Sequence, residues 1–114
     1  MEVFIHHIYE YEKGLRSLIL HTTSATNREK IEAKLNLKEI PYIIQEIERN
    51  VINIFFGNEN CINVLNTIGK KSLTEYSAEE DFMLGTMLGY DRVRQCQRYM
   101  KIKKSKLKLE VLAG

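Results

Sequence analysis

Proline and glycine are scarce, with one and six respectively in 114 residues. No flexible linker is therefore present, and a chain of this length makes a single domain spanning residues 1–114. The two cysteines, Cys61 and Cys96, stand in neither CxxC nor CxH spacing. No metal site is expected from them, and a reducing cytoplasm is the simplest setting. No run approaches the roughly 18 continuous apolar residues of a membrane-spanning helix. The opening MEVFIHHIYEYEKG has no charged stretch leading into a long apolar one, so it reads as folded domain rather than signal peptide. Phosphate loops, Rossmann glycine patterns, HExxH and GxSxG are all missing, as are RNP-like aromatic motifs and a helix-turn-helix. The sequence thus names no reaction and implies no cofactor.

What is present is ordinary globular material, 44% hydrophobic and 28% charged, enough to bury a core without staples. The charge is unevenly placed. Seventeen basic residues against fifteen acidic ones give a net charge of +2. From Arg92 to Leu109, however, Arg92, Arg94, Arg98, Lys101, Lys103, Lys104, Lys106 and Lys108 occur with no acid among them. The chain therefore has a positive C-terminal pole and a negative body.

The apolar patterning predicts an α+β domain. Val3 to Tyr11, rich in Val, Ile, Phe and Tyr on both faces, reads as a strand central in its sheet. Leu15, Leu18 and Ile19 suggest a short helix to about His21. Thr26 and Glu29 have capping-box spacing ahead of a helix to about Leu37, although Ile31, Ala33, Leu35 and Leu37 also alternate as in a strand. Tyr42 to Ile47 and Val51 to Phe56 read as a hairpin. Asn58 or Asn60 then caps a helix that Gly69 ends in the left-handed conformation. Leu73 to Tyr76 is an edge strand or a loop. Ser77 and Glu80 form the clearest capping box, starting a helix expected to run from Ala78 to about Lys101. On that helix Gly85 and Gly89 share a face and allow close approach of another backbone. Residues 102–114 read as a basic tail or an added strand. The whole suits a β-α-β-β-α-(β) split sandwich with a long C-terminal helix packed on the sheet.

Three sets of residues carry possible chemistry. Arg94, Arg98 and Lys101 recur at helical spacing and, with Arg92, make a ridge able to hold phosphates or a carboxylate-rich protein surface. The alternative is a solvated face neutralised by the chain's own acids. His6, Glu10, His21 and Asp91 are candidates for acid–base or metal-dependent work, against satisfied polar groups in a sheet. On a strand His6 and His7 would point to opposite faces and could not share a metal. Cys61 and Cys96 suit core packing better than nucleophilic or redox roles.

Three segments carry a resemblance: FIHHIYEYEKGLRSLILHT (Phe4 to Thr22), INIFFGNENCINVL (Ile52 to Leu65) and EEDFMLGTMLGYDRVRQCQRYM (Glu79 to Met100). On these the chain resembles a family of small bacterial proteins grouped as a domain of unknown function. The resemblance implies no activity and no site residue. It does imply an acidic, flavodoxin-like partner, because such proteins neighbour flavodoxins in bacterial genomes. The leading expectation is a non-enzymatic accessory protein that binds an acidic partner through its basic C-terminal helix. A nucleic-acid-binding module is one alternative, and a small enzyme or metal-dependent sensor using His6, Glu10 and His21 is another. Homo-oligomerisation is left open.

Overall fold

The computed structural model describes residues 1–113, organised around a three-stranded antiparallel sheet. Helix α1 (Glu2–Glu12) precedes strand β1 (Leu18–Ser24) and helix α2 (Arg28–Leu37). Strands β2 (Tyr42–Glu48) and β3 (Val51–Gly57) follow, then helices α3 (Glu59–Ile68), α4 (Ala78–Met87) and α5 (Arg92–Ala113). The sheet order is β1-β3-β2, so the second hairpin strand is the central one. It is buried from Ile52 to Gly57, as expected of a strand covered on both faces. The α+β class and the long C-terminal helix stand.

Several local expectations are corrected. The β-α-β-β-α run exists, but it starts at Leu18 rather than Val3. Val3 to Tyr11 is helical. Phe4 and Ile8 are buried one turn apart and Tyr11 packs beneath them, whereas Val3, Ile5 and Tyr9 face solvent. Strand-favouring composition is overridden because the sheet needs a helix over this face. Leu18 to His21 is strand, not helix, because Leu18 and Ile19 are both fully buried on opposite faces of the sheet. The Thr26–Glu29 box does not form. Instead Ser24 accepts the Thr26 N–H and caps a short 3₁₀ turn, after which α2 buries Ile31 and Leu35. Leu73–Glu75 is a 3₁₀ turn.

The sheet is the middle of three layers. On one face α1 and α2 bring Phe4, Ile8, Ile31 and Leu35 against Ile19, Ile52, Ile54 and Phe56. On the other, α3 and α4 bring Ile62, Leu65, Leu84 and Leu88 against Leu18 and Phe55. Each fully buried large side chain contributes about 1.5–3 kcal/mol by leaving water. Gly57 lets β3 pass close to the start of β1, since a Cβ there would lie 2.2 Å from the Ser17 carbonyl oxygen. That oxygen accepts the Asn58 N–H at 2.7 Å, and Asn58 in turn caps α3, which Gly69 closes at φ 70°.

The predicted single helix from Ala78 onward is two helices. At Gly89, φ is 80°; its N–H bonds to the Thr86 carbonyl, and that of Tyr90 to the Gly85 carbonyl. Those two bonds close α4 in a Schellman turn, a geometry in which glycine avoids the Cβ clash of the left-handed region. Asp91 then starts α5, its Oδ2 accepting the Arg94 N–H at 2.9 Å. Residues 102–113 continue α5 rather than forming a strand or an unstructured tail. No helix is long and apolar enough to cross a membrane among the described residues.

Candidate interaction site

Helices α4 and α5 form an antiparallel hairpin whose seam is built from local chemistry. The Ser77 capping box is complete: Ser77 Oγ accepts the Glu80 N–H, and Glu80 accepts the Ser77 N–H. Glu80 also takes a hydrogen bond from Lys70, which, with the backbone bond to Ser77, holds its carboxyl below the ordinary range. Gly85 faces Gln95 of α5 so closely that an added Cβ would sit 2.0 Å from Gln95 Oε1. The expected close approach at this glycine is therefore to a buried side chain rather than a backbone, while Gly89 serves the turn.

Further along the seam, Arg98 donates Nε–H to Asp81 Oδ2 at 2.8 Å and Nη2–H to Oδ1 at 3.0 Å. The Tyr99 hydroxyl donates to Glu79 Oε2 at 2.6 Å, and the Lys103 ammonium lies 3.2 Å from the same oxygen. These contacts hold the Glu79 carboxyl low, chiefly through the Tyr99 bond, and push Tyr99, Lys103 and Arg98 up. The Tyr99 ring meets Phe82 edge-on at 5.8 Å.

The predicted cationic ridge is therefore divided. Arg98 is neutralised within the chain. Arg92, Arg94 and Lys101 are exposed and lie in no ion pair within 4.0 Å among the described residues, as do Lys104, Lys106 and Lys108. The helix break also reverses one electrostatic relationship. A single long helix would have placed the arginines toward its negative end. Instead Arg92 and Arg94 sit in the first turn of α5, at the positive end of the helix dipole, where cations are disfavoured by a few tenths of a kcal/mol.

Beyond Lys103, α5 overhangs the start of α4. Every residue from Lys104 to Ala113 is exposed. These ten residues extend about 15 Å at 1.5 Å per residue and help draw the molecule out to 53 Å along its longest axis against 31 and 25 Å on the others. The overhang carries large apolar groups as well as lysines, with Leu107 61% and Leu112 74% exposed. Next to it, Phe82, Met83, Cys96, Tyr99 and Met100 enclose an open hollow of about 400 Å³ with Glu79 at its rim. Cys96 is thus a surface thiol, contrary to the core packing expected of it. Cys61 is half-buried against the α3–α4 layer, and desolvation pushes its thiol up.

Across the sheet lies the histidine group. Because α1 is a helix, His6 and His7 both reach back to Glu10: His6 Nε2 is 3.6 Å and His7 Nδ1 3.4 Å from Glu10 Oε1. Arg16 is 4.0 Å from the same oxygen. His7, not among the sequence candidates, meets His21 edge-on with ring centroids 5.4 Å apart. His21 also packs on Phe4. Burial, and then the nearby His7, lower the His21 pKa. No group of three or more His, Cys, Asp or Glu side chains is arranged to hold a metal among the described residues. Asp91 lies on the far side of the sheet, occupied as the α5 cap. The i, i+3 and i, i+4 spacings of His7, His6 and Glu10 would have revealed the group, had the segment been read as a helix. The hollow had a comparable signal in Phe82, Met83, Cys96 and Met100, obscured by the break at Gly89.

Fold and surface together define a small α+β protein with a closed three-layer body and a projecting cationic, apolar-bearing helix. The chain belongs to the DUF2023 family, described as a protein of unknown function, whose family model matches residues 2–102. The match ends within α5, one residue before Lys103. A comparison with curated proteins finds no match.

Proposed function

We propose that this protein is an interaction module that docks an acidic protein surface, such as a flavodoxin-like one, onto α5. The observation that carries this reading is the exposed and unpaired state of Arg92, Arg94, Lys101, Lys104, Lys106 and Lys108 on one helix. Surface cations steer an oppositely charged partner and fix its orientation, and the part of α5 packed on α4 offers Arg92, Arg94 and Lys101 on a rigid frame. Leu107, Leu109, Val111 and Leu112 on the overhang favour a protein partner over nucleic acid, since a phosphate backbone gives leucines nothing to bury against.

The test is titration of the purified chain with a purified acidic flavodoxin-like protein at low and high salt. Binding is expected at low salt, weakened by salt, and abolished when Arg94, Lys101 and Lys104 are each replaced by Glu. A complex that persists unchanged in the charge-reversed protein would refute the proposal.

A further inference from the structure

We propose that the hollow between α4 and α5 seats one bulky apolar side chain of the acidic partner segment, and so supplies the anchor of the interface. This rests on the function proposed above and adds to it a second, non-electrostatic component. The hollow's walls are Phe82, Met83, Cys96, Tyr99 and Met100. Two thioethers, a thiol and two rings make an apolar but adaptable lining, since methionine repacks around differently shaped guests. Met83 and Met100 are 43% and 51% exposed, so the fold itself leaves this surface uncovered.

The polar group at the rim is already committed: Glu79 accepts from Tyr99 and pairs with Lys103, which offsets its charge toward an acidic guest. Around Cys96 and Met100 the hollow runs into a second depression lined by Gln97, Lys101, Lys104 and Ser105. Lys101 and Lys104 are exposed and unpaired. An apolar recess directly beside two free cations fits a segment that carries an aromatic or branched aliphatic residue flanked by carboxylates. Buried apolar anchors surrounded by a polar rim are the usual way a small interface concentrates its affinity. A second copy meeting this face through its own α5 is a poor occupant, because the same lysines would be set against one another.

The experiment uses the full chain and two dye-labelled synthetic helical peptides on the order of 15 residues, long enough to hold some helix. Both are rich in Asp and Glu. They differ at one central position, Phe in one and Ala in the other. Fluorescence anisotropy is expected to show the Phe peptide binding on the order of tenfold more tightly, the scale of burying one large apolar side chain. The preference is expected to vanish in M83S and M100S but persist in V93S, with helicity checked by circular dichroism. Maleimide alkylation of Cys96, read by peptide-resolved mass spectrometry, is expected to slow when the Phe peptide is bound. Equal binding of the two peptides with no protection of Cys96 would overturn the hollow as an anchor while leaving the electrostatic docking reading intact. No binding of either peptide at low salt, or binding of duplex DNA instead, would overturn both.

Discussion

Arg98 of α5 grips Asp81 of α4 through two parallel hydrogen bonds of 2.8 and 3.0 Å, and this pair marks the part of the cationic helix that the fold uses for itself. Arg98 is 58% exposed, so water screens the pair and its contribution is that of a good surface ion pair, under about 1 kcal/mol. R98A is therefore expected to lower stability by that amount in urea denaturation and to leave partner binding nearly unchanged. R94E is expected to do the reverse. A large loss of binding in R98A at unchanged stability would show that Arg98 itself meets the partner and is not reserved for the fold.

The helical state of the first segment can be tested through two isoleucines. Ile8 is 2% exposed and Ile5 47%. I8A is expected to cost about 2–4 kcal/mol by removing buried contacts and leaving a cavity. I5A should cost less than about 0.5 kcal/mol, as surface changes do. A strand centred in a sheet would make both changes expensive, so comparable losses in denaturant unfolding would return Val3 to Tyr11 to that description.

What could be read from the sequence was whatever depended on chemistry within a few residues. The Ser77–Glu80 box, the Asn58 cap, the left-handed Gly69 and the hairpin turning at Asn50, whose φ is 63°, all have local causes. The first two elements were exchanged because Val, Ile and Tyr favour strands wherever they occur, while the burial that makes α1 helical comes from Phe56 and Ile54, more than forty residues away. The site shows the same division. The run of bases was plain, but Asp81 neutralises Arg98 from a separation of 17 residues. That pairing exists only because Gly89 folds α5 back along α4.

The burial of His21 beside His7 gives stability a defined pH dependence. Burial, followed by the charge of His7, lowers the His21 pKa from its ordinary 6.5. The unfolded chain therefore takes up this proton at a higher pH than the folded one. Stability is complete above about pH 7.5 and falls as pH drops through 6.5 toward the depressed value, because protonation pulls toward the unfolded state. Glu10, facing both His6 and His7, remains after His21 is replaced. Urea midpoints are expected to decline from about pH 7.5 to about pH 5.5, and H21Q should flatten that decline. A second loss, from Glu79 and Glu80, whose carboxyls are held below their ordinary 4.5, belongs to more acidic solution and should survive in H21Q. A wild-type midpoint that does not change between about pH 7.5 and about pH 5.5 would contradict the burial assigned to His21.

The overhang of α5 separates folding from recognition. From Lys104 to Ala113 no side chain enters either core cluster, and the hydrogen bonds and ion pairs that tie α5 to α4 among the described residues reach no further along α5 than Lys103, which pairs with Glu79. Ending the chain after Lys103 removes lysines and leucines that face only water. Its cost to stability is expected to stay within about 0.5 kcal/mol, the range of surface changes away from caps and cores. An unpacked helical end also gains little from tertiary contacts, so its amides should exchange with solvent far faster than those of β3. The same truncation removes Lys104, Lys106 and Lys108 and is expected to weaken binding of an acidic partner severalfold while preserving the salt dependence due to Arg92, Arg94 and Lys101. A truncated chain that unfolds, or amides beyond Lys104 as protected as those of the central strand, would show that these residues are packed in solution and are not a free arm.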